Sequence, residues 1–205
     1  MKKLIPFLGN KQSRNILLIA GCIFLFSFTG MQQHTADVKK QFTDTLLFAM
    51  CDVMTGAEVA SLSPFGLPLK KATSEVADFY TSCHYEFVSN DDYPQTKIVV
   101  VPFTKAEEAK AAYTSTADSW RDSYQREPER IDNLADSACF MGNADPQWCD
   151  DCGLQAWSGK YFITISFKGY YQNRDRPITA RQKQDASVAL LRLLFRKRPE
   201  LSKKK

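Results

Sequence analysis

Beyond residue 50 the apolar positions change period several times, and each change marks an element. Thr55-Gly56-Ala57-Glu58 has the spacing of a capping box, and Met54 and Val59 flank it as a hydrophobic staple. A short helix over about 55–62 is expected, stopped by Pro64 and Gly66. Residues 82–88 alternate instead, with Tyr85 and Phe87 on one side and His84, Glu86 and Val88 on the other, which predicts a strand. Asn90-Asp91-Asp92-Tyr93-Pro94 follows as its turn, and Lys97 to Phe103 is a β-branched run that reads as the next strand. Thr104-Lys105-Ala106-Glu107 is a second capping pattern. After it Ala106, Ala109, Tyr113, Ala117, Trp120 and Tyr124 recur every three or four residues, a helical stripe expected to face the core and to end before Pro128.

The second half repeats the switch. Ile131 to Phe140 reads as a strand, and Leu154 to Trp157 pairs with Lys160 to Lys168 across Ser158-Gly159. In the latter, Tyr161, Ile163, Ile165 and Phe167 share one face, and Phe162, Thr164, Ser166 and Lys168 the other. Thr179-Ala180-Arg181-Gln182 opens a final helix whose buried side holds Val188, Leu191, Leu194 and Phe195. The expected order is α-β-β-α-β-β-β-α. Hairpins and short connections make this an α+β fold, a mostly antiparallel sheet packed by helices. The expected layout is an export segment over 1–36, a lead-in over 37–50, one domain over 51–197 and a basic tail over 198–205.

Composition agrees with a folded domain, since 44% hydrophobic and 12% aromatic residues supply a core. The formal charge of +4 is unevenly spread. Residues 1–30 hold Lys2, Lys3, Lys11 and Arg14 with no acid, which leaves 23 of the 27 basic residues against 23 acidic ones. Within that neutral remainder, Arg192, Arg196, Lys197, Arg198, Lys203, Lys204 and Lys205 face only Glu200, so 192–205 carries +6 and 31–191 carries −6. A nucleic-acid partner is not expected, because it calls for basic residues spread over one face among base-reading groups. The basic end reads as a solvated helix terminus favoured by the dipole, or as a weak attraction to anionic lipid or a partner.

The four N-terminal cations precede Ile16 to Phe28, an apolar run with no charge until Asp37, which is the layout of a secretory signal. As a helix, about 14 such residues reach about 21 Å against a hydrocarbon core of about 30 Å, which favours cleavage over a permanent span. Cleavage sites fall after Thr29, Gly30 or Ala36. Leu18-Ile19-Ala20-Gly21-Cys22 also has the form of a lipobox, making Cys22 a lipidation candidate and the segment a membrane tether. Cleaved, lipidated and uncleaved ends all stay open, and each puts the domain outside the cytoplasm, in the periplasm or cell envelope.

Three stretches carry a family resemblance: Cys51-Asp52-Val53-Met54-Thr55-Gly56-Ala57-Glu58-Val59, Cys83-His84-Tyr85, and Ile131-Asp132-Asn133-Leu134-Ala135-Asp136-Ser137-Ala138. Over about 50–197 the chain resembles actinobacterial-type cell-envelope lipoproteins of unknown function, whose domains open with Cys-x-Leu-Thr-x-x-Glu-Val and carry a later Leu-Gly-Asp-x-Ala. Ala135 stands where that pattern prefers glycine, and Cys139, Cys149 and Cys152 fall outside it. Related envelope domains resemble the PsbP-like α/β sandwich. The resemblance implies a fold and a location, not a reaction.

Outside the cytoplasm Cys51, Cys83, Cys139, Cys149 and Cys152 are disulfide candidates first. A Cys51–Cys83 bridge, at positions where the family pattern also has cysteines, would tie the opening segment to the sheet. Trp148-Cys149-Asp150-Asp151-Cys152 has the spacing of a thioredoxin-like redox site, but two aspartates raise thiol pKa and Gly153 leads toward a strand. A structural bridge is expected there, within the pair or from Cys139 to one of them. Cys139, Cys149 and Cys152 with an aspartate make an incomplete metal set, and neither metal nor cofactor is expected. His84 is the single histidine of the domain and reads as a satisfied strand residue, so hydrolase triads fit poorly. Glu107, Glu108, Asp118 and Asp122 read as a solvated helix face. Two loops are the candidate contact surfaces, Gly169 to Arg174 with Tyr170, Tyr171 and Arg174, and the acidic stretch from Asp145 to Asp151. The leading expectation is a non-enzymatic envelope module that binds a protein, lipid or cell-wall partner through loops. The competing expectation is a periplasmic thiol–disulfide enzyme using Cys149 and Cys152.

Overall fold

The computed structural model describes residues 48–89, 94–142, 152–168 and 178–202. The export segment with Cys22, the turn at 90–93, Cys149 and the acidic loop, Tyr170, Tyr171, Arg174 and Lys203 to Lys205 lie outside the described residues.

Among the described residues, helices α1 (Met50–Val53) and α2 (Gly56–Leu62) lead into strands β1 (Leu69–Ala77), β2 (Tyr80–Phe87) and β3 (Gln95–Pro102). Helix α3 (Ala106–Tyr124) follows, then β4 (Glu129–Arg130), β5 (Ser137–Met141), β6 (Cys152–Ser158) and β7 (Tyr161–Lys168), helix α4 (Ala180–Lys197) and a 3-10 turn (Pro199–Ser202). The strands form one seven-stranded sheet in the order β1-β2-β3-β7-β6-β5-β4, antiparallel throughout. The class is α+β.

Register divides the sheet into two faces. On the first, Tyr85 lies opposite Thr96, Thr96 opposite Phe167 and Phe167 opposite Cys152, and the rows Cys83–Ile98–Ile165–Leu154 and Thr81–Val100–Ile163–Ala156 run parallel to it. These side chains are buried beneath Leu190, Leu191 and Leu194 of α4 and Met50, Met54 and Val59 of the opening helices. Fully burying one such aliphatic or aromatic side chain contributes about 1.5–3 kcal/mol. The second face, with Val99, Val101, Phe162, Thr164, Gln155 and Trp157, is half-buried.

The capping chemistry holds where both partners are present. Thr55 N–H donates to Glu58 at 3.0 Å while the Glu58 N–H returns to Thr55 Oγ1, and Met54 and Val59 are buried beside them. The Thr179–Gln182 box has the same reciprocal bonds. At α3 the start slips by one residue. Lys105 is the N-cap and its N–H donates to Glu108 at 3.2 Å, because Glu108 is the acid one turn in; a lysine ammonium has no lone pair to complete the box.

Two further differences from the sequence expectation have physical causes. The order gains β1, whose Leu69–Ala77 sequence is exposed along nearly its whole length and therefore shows no apolar alternation. The run from Ile131 to Phe140 is not one strand. Asn133 turns it in the left-handed region at φ 58°, and the Asp136 carboxylate accepts the Gly159 N–H at 2.6 Å, so pairing resumes at Ser137. The α3 stripe also packs less deeply than its periodicity implies: only Ala109 is fully buried, and Tyr124 is exposed.

Candidate functional site

Antiparallel strands gather their connections at two ends, and these ends differ in chemistry. At one, here the loop end, the chain leaves β2 after Phe87, β5 after Met141 and β7 after Lys168, and returns at Gln95, Cys152 and Ile178. Its floor is aromatic. Phe65 packs on Phe87 at 5.2 Å between ring centroids and edge-on to Phe167 at 6.1 Å, all three buried. Phe87 N–H donates to Pro94 O and Val88 N–H to Pro68 O, which fixes the feet of the first connection. Gly153 fixes the second: a Cβ there would lie 2.4 Å from the Ile165 carbonyl oxygen, so only glycine lets β6 approach β7 this closely.

Cys152 sits at that foot, buried and disulfide-bonded, while Cys51 and Cys83 are bonded to each other with Cα atoms 5.3 Å apart. The Cys51–Cys83 bridge bolts α1 to β2. Cys139, a candidate for a bridge to Cys149 or Cys152, is instead a free thiol on the second face of β5. It lies under α3 beside Tyr113, whose hydroxyl also meets Ser137 Oγ at 3.1 Å. Burial pushes the Cys139 thiol up, and burial and then the Cys139 contact push Tyr113 up to about 12. Such a thiol is a weak nucleophile near neutral pH. Cys152, disulfide-bonded, is the first described residue of strand β6 and no described helix begins at it. His84 lies half-buried on the second face opposite Lys97; desolvation first and Lys97 second hold it below the usual imidazole range. Among the described residues no three His, Cys, Asp or Glu side chains converge as a metal set, and no helix is long and apolar enough to cross a membrane.

The opposite end, here the hairpin end, carries the β1–β2 turn at Asp78-Phe79, the β6–β7 turn at Gly159-Lys160 and the C-terminus of α4. The first described residue is here too: Phe48 O accepts the Thr81 hydroxyl at 2.6 Å, and the Arg198 guanidinium covers the Phe48 ring at 4.0 Å. Glu58 and Lys197 pair at 2.7 Å between α2 and the last turn of α4. Lys197 and then Thr55 hold the Glu58 carboxyl down to about 2.

The carboxylates Glu107, Asp118 and Asp122 line the outer side of α3 among Ser115, Ser119 and Ser123, which makes that side polar and solvated. Sequence reading missed the hairpin end as a unit. Its one legible trace was the cluster of cations after residue 191. No protein-family model matches the chain, and neither a curated protein nor a solved structure matches it.

Proposed function

We propose that this chain is an exported cell-envelope protein whose domain binds an envelope partner, a protein, lipid or cell-wall component, through the connections of the loop end, without catalysing a reaction. The observation that carries the reading is the loop end itself, where strands β2, β5 and β7 all end, with the first two feet anchored and the buried rings Phe65, Phe87 and Phe167 packed together there. A rigid platform bearing loops is a common way to build a binding surface, because the scaffold bears the stability and leaves the loops free to vary. Tyr170, Tyr171 and Arg174 belong to the third connection and are residue types that anchor interfaces. Export is supported by the cations and apolar run of residues 1–28 and by the Cys51–Cys83 bridge, which suits an oxidising compartment. The resemblance to envelope lipoproteins and the PsbP-like sandwich belongs to this same proposal.

The test is capture from crosslinked envelopes by the wild-type chain and by Tyr170→Ala/Tyr171→Ala/Arg174→Ala. The variant is expected to lose the partner that the wild type captures while keeping its melting temperature. Equal capture by both sinks the loop reading. Catalysed reduction of a test disulfide, abolished by Cys149→Ser, would turn the function toward thiol exchange.

A further inference from the structure

We infer that the outer edge of β1 is the interface of a symmetric dimer, in which the strand pairs antiparallel with β1 of a second copy of the chain and joins two sheets into one. This interface lies at the side of the sheet, apart from the loops of the proposed function at its end. Strand β1 closes one side of the sheet, pairs with β2 alone among the described strands, and is exposed at every position from Lys70 to Val76. Alternate residues therefore turn their N–H and C=O groups outward, a template on which a further strand adds. Ala72, Ser74 and Val76 lie on the face that carries the core, opposite Tyr85, Cys83 and Thr81, and yet are exposed. The helices of that face thus stop short of the edge and leave room for a neighbour. The other side of the sheet offers no strand of matching length, because β4 is only Glu129 and Arg130. Another β1 is the counterpart that fits, and the assembly closes as a pair instead of growing into a filament.

The charges on the strand select the register. A twofold axis through Thr73 sets Lys71 opposite Glu75 of the second copy and, by symmetry, Glu75 opposite its Lys71, with Ala72 against Ser74 and Thr73 against Thr73. Lys71 and Glu75 share one face of β1, in register with Glu86 and Ser82 of β2. Lys71 then sits between Glu86 of its own sheet and Glu75 of the second copy. Lys71 has no ion pair among the described residues. Glu75 accepts the Tyr80 hydroxyl through Oε1, which leaves Oε2 for an ammonium. In this register Lys70 falls opposite Val76 and Asp78 opposite Pro68, so no like charges meet. Sliding the copies toward either end brings Lys71 onto Lys71 or Glu75 onto Glu75. Lysine on an edge strand ordinarily guards against pairing. Lys71 excludes a strand that has no acid at the facing position and admits its own copy, which does.

Sedimentation velocity of the full chain in detergent, with oxidative crosslinking, tests both the dimer and its register. Thr73→Cys places two thiols across the axis, where directly opposed strand residues have Cα atoms about 4.5–5.5 Å apart, within reach of a disulfide. A covalent dimer is expected from Thr73→Cys and not from Ser74→Cys, whose two copies stand about 8 Å apart, beyond that reach. Lys71→Glu alone and Glu75→Lys alone are each expected to weaken dimerisation about tenfold or more, since like charges then stand opposed. Mixed in equal amounts, the two variants are expected to recover wild-type dimerisation as a heterodimer, which also shows that both fold. A wild-type chain that stays monomeric at the highest concentration reached overturns the inference, as does a mixture that associates no better than its parts. Crosslinking of Ser74→Cys in place of Thr73→Cys overturns it too, and so does crosslinking of Thr73→Cys in cell envelopes to a different protein and never to itself.

Discussion

Phe167 and Phe162 lie on the same strand, five residues apart, and inhabit different solvents. Phe167 is fully buried between the Phe65 ring and the Thr96 and Cys152 positions of its neighbours, under α4 and the opening helices. Phe162 points the other way, toward Val101, Trp157 and the side that α3 covers in part. The first face is a dry core bolted by a disulfide. The second is a half-wet layer in which Lys110 sits over the Trp157 ring at 5.6 Å and a buried thiol meets a tyrosine hydroxyl. The deeper burial, and with it the larger share of stability, lies on the first face.

The largest expected effect tests that division directly. Phe167→Ala should cost about 3–5 kcal/mol, the usual range for emptying a buried aromatic site, whereas Phe162→Ala should cost less than half as much. Urea denaturation of the two variants decides it, and equal losses would mean that α3 seals its face as tightly as α4 does. Next, Cys51→Ser/Cys83→Ser should cost about 3–4 kcal/mol by thermal unfolding, from the loop entropy released by opening a bridge that spans 32 residues.

Cys139 probes the second face from within. Because α3 buries little besides Ala109, the thiol should alkylate through local opening of that helix, faster than global unfolding under the same native conditions. A labelling rate equal to the unfolding rate would place α3 in the main cooperative unit. Thr96→Val acts within the dry face: the Thr96 hydroxyl is buried with no hydrogen-bond partner among the described residues, so the isosteric change should raise stability by up to about 1 kcal/mol in denaturant melts.

The smallest effect concerns the Glu58–Lys197 pair at the rim. Glu58 is held down to about 2 from an ordinary value of 4.5, so its contribution is fully present above about 4.5 and is lost as pH falls toward 2. Both side chains are about one-third exposed, and solvent screening keeps the pair under about 1 kcal/mol. Glu58→Gln should therefore melt slightly below the wild type at neutral pH, and the two curves should converge between pH 4.5 and 2. A constant gap across that window would assign the effect to lost capping geometry instead of charge.

Local chemistry alone determined much of this protein. Thr55 with Glu58 and Thr179 with Gln182 carry their helix starts within four residues, and the alternation of Tyr161, Ile163, Ile165 and Phe167 names the core face of β7 without any knowledge of what covers it. The α+β class and the antiparallel sheet follow from such signals because hairpins and caps are short-range events. What only the tertiary structure decided are matters of distance along the chain. Strand β1 has no apolar rhythm because it is an edge strand held by pairing with β2 and exposed on both faces, so nothing in its own residues records the partner that orders it. The depth of α3 depends on how much of the sheet lies beneath it, which periodicity cannot report. Cys139 stays free although three cysteines lie within 14 positions, because β5 turns it under α3 and away from the face that carries Cys152. The meeting of Phe48, Val76 and Arg198 at one end unites residues from the start, middle and end of the domain, and only the packing of α4 along the sheet brings them together.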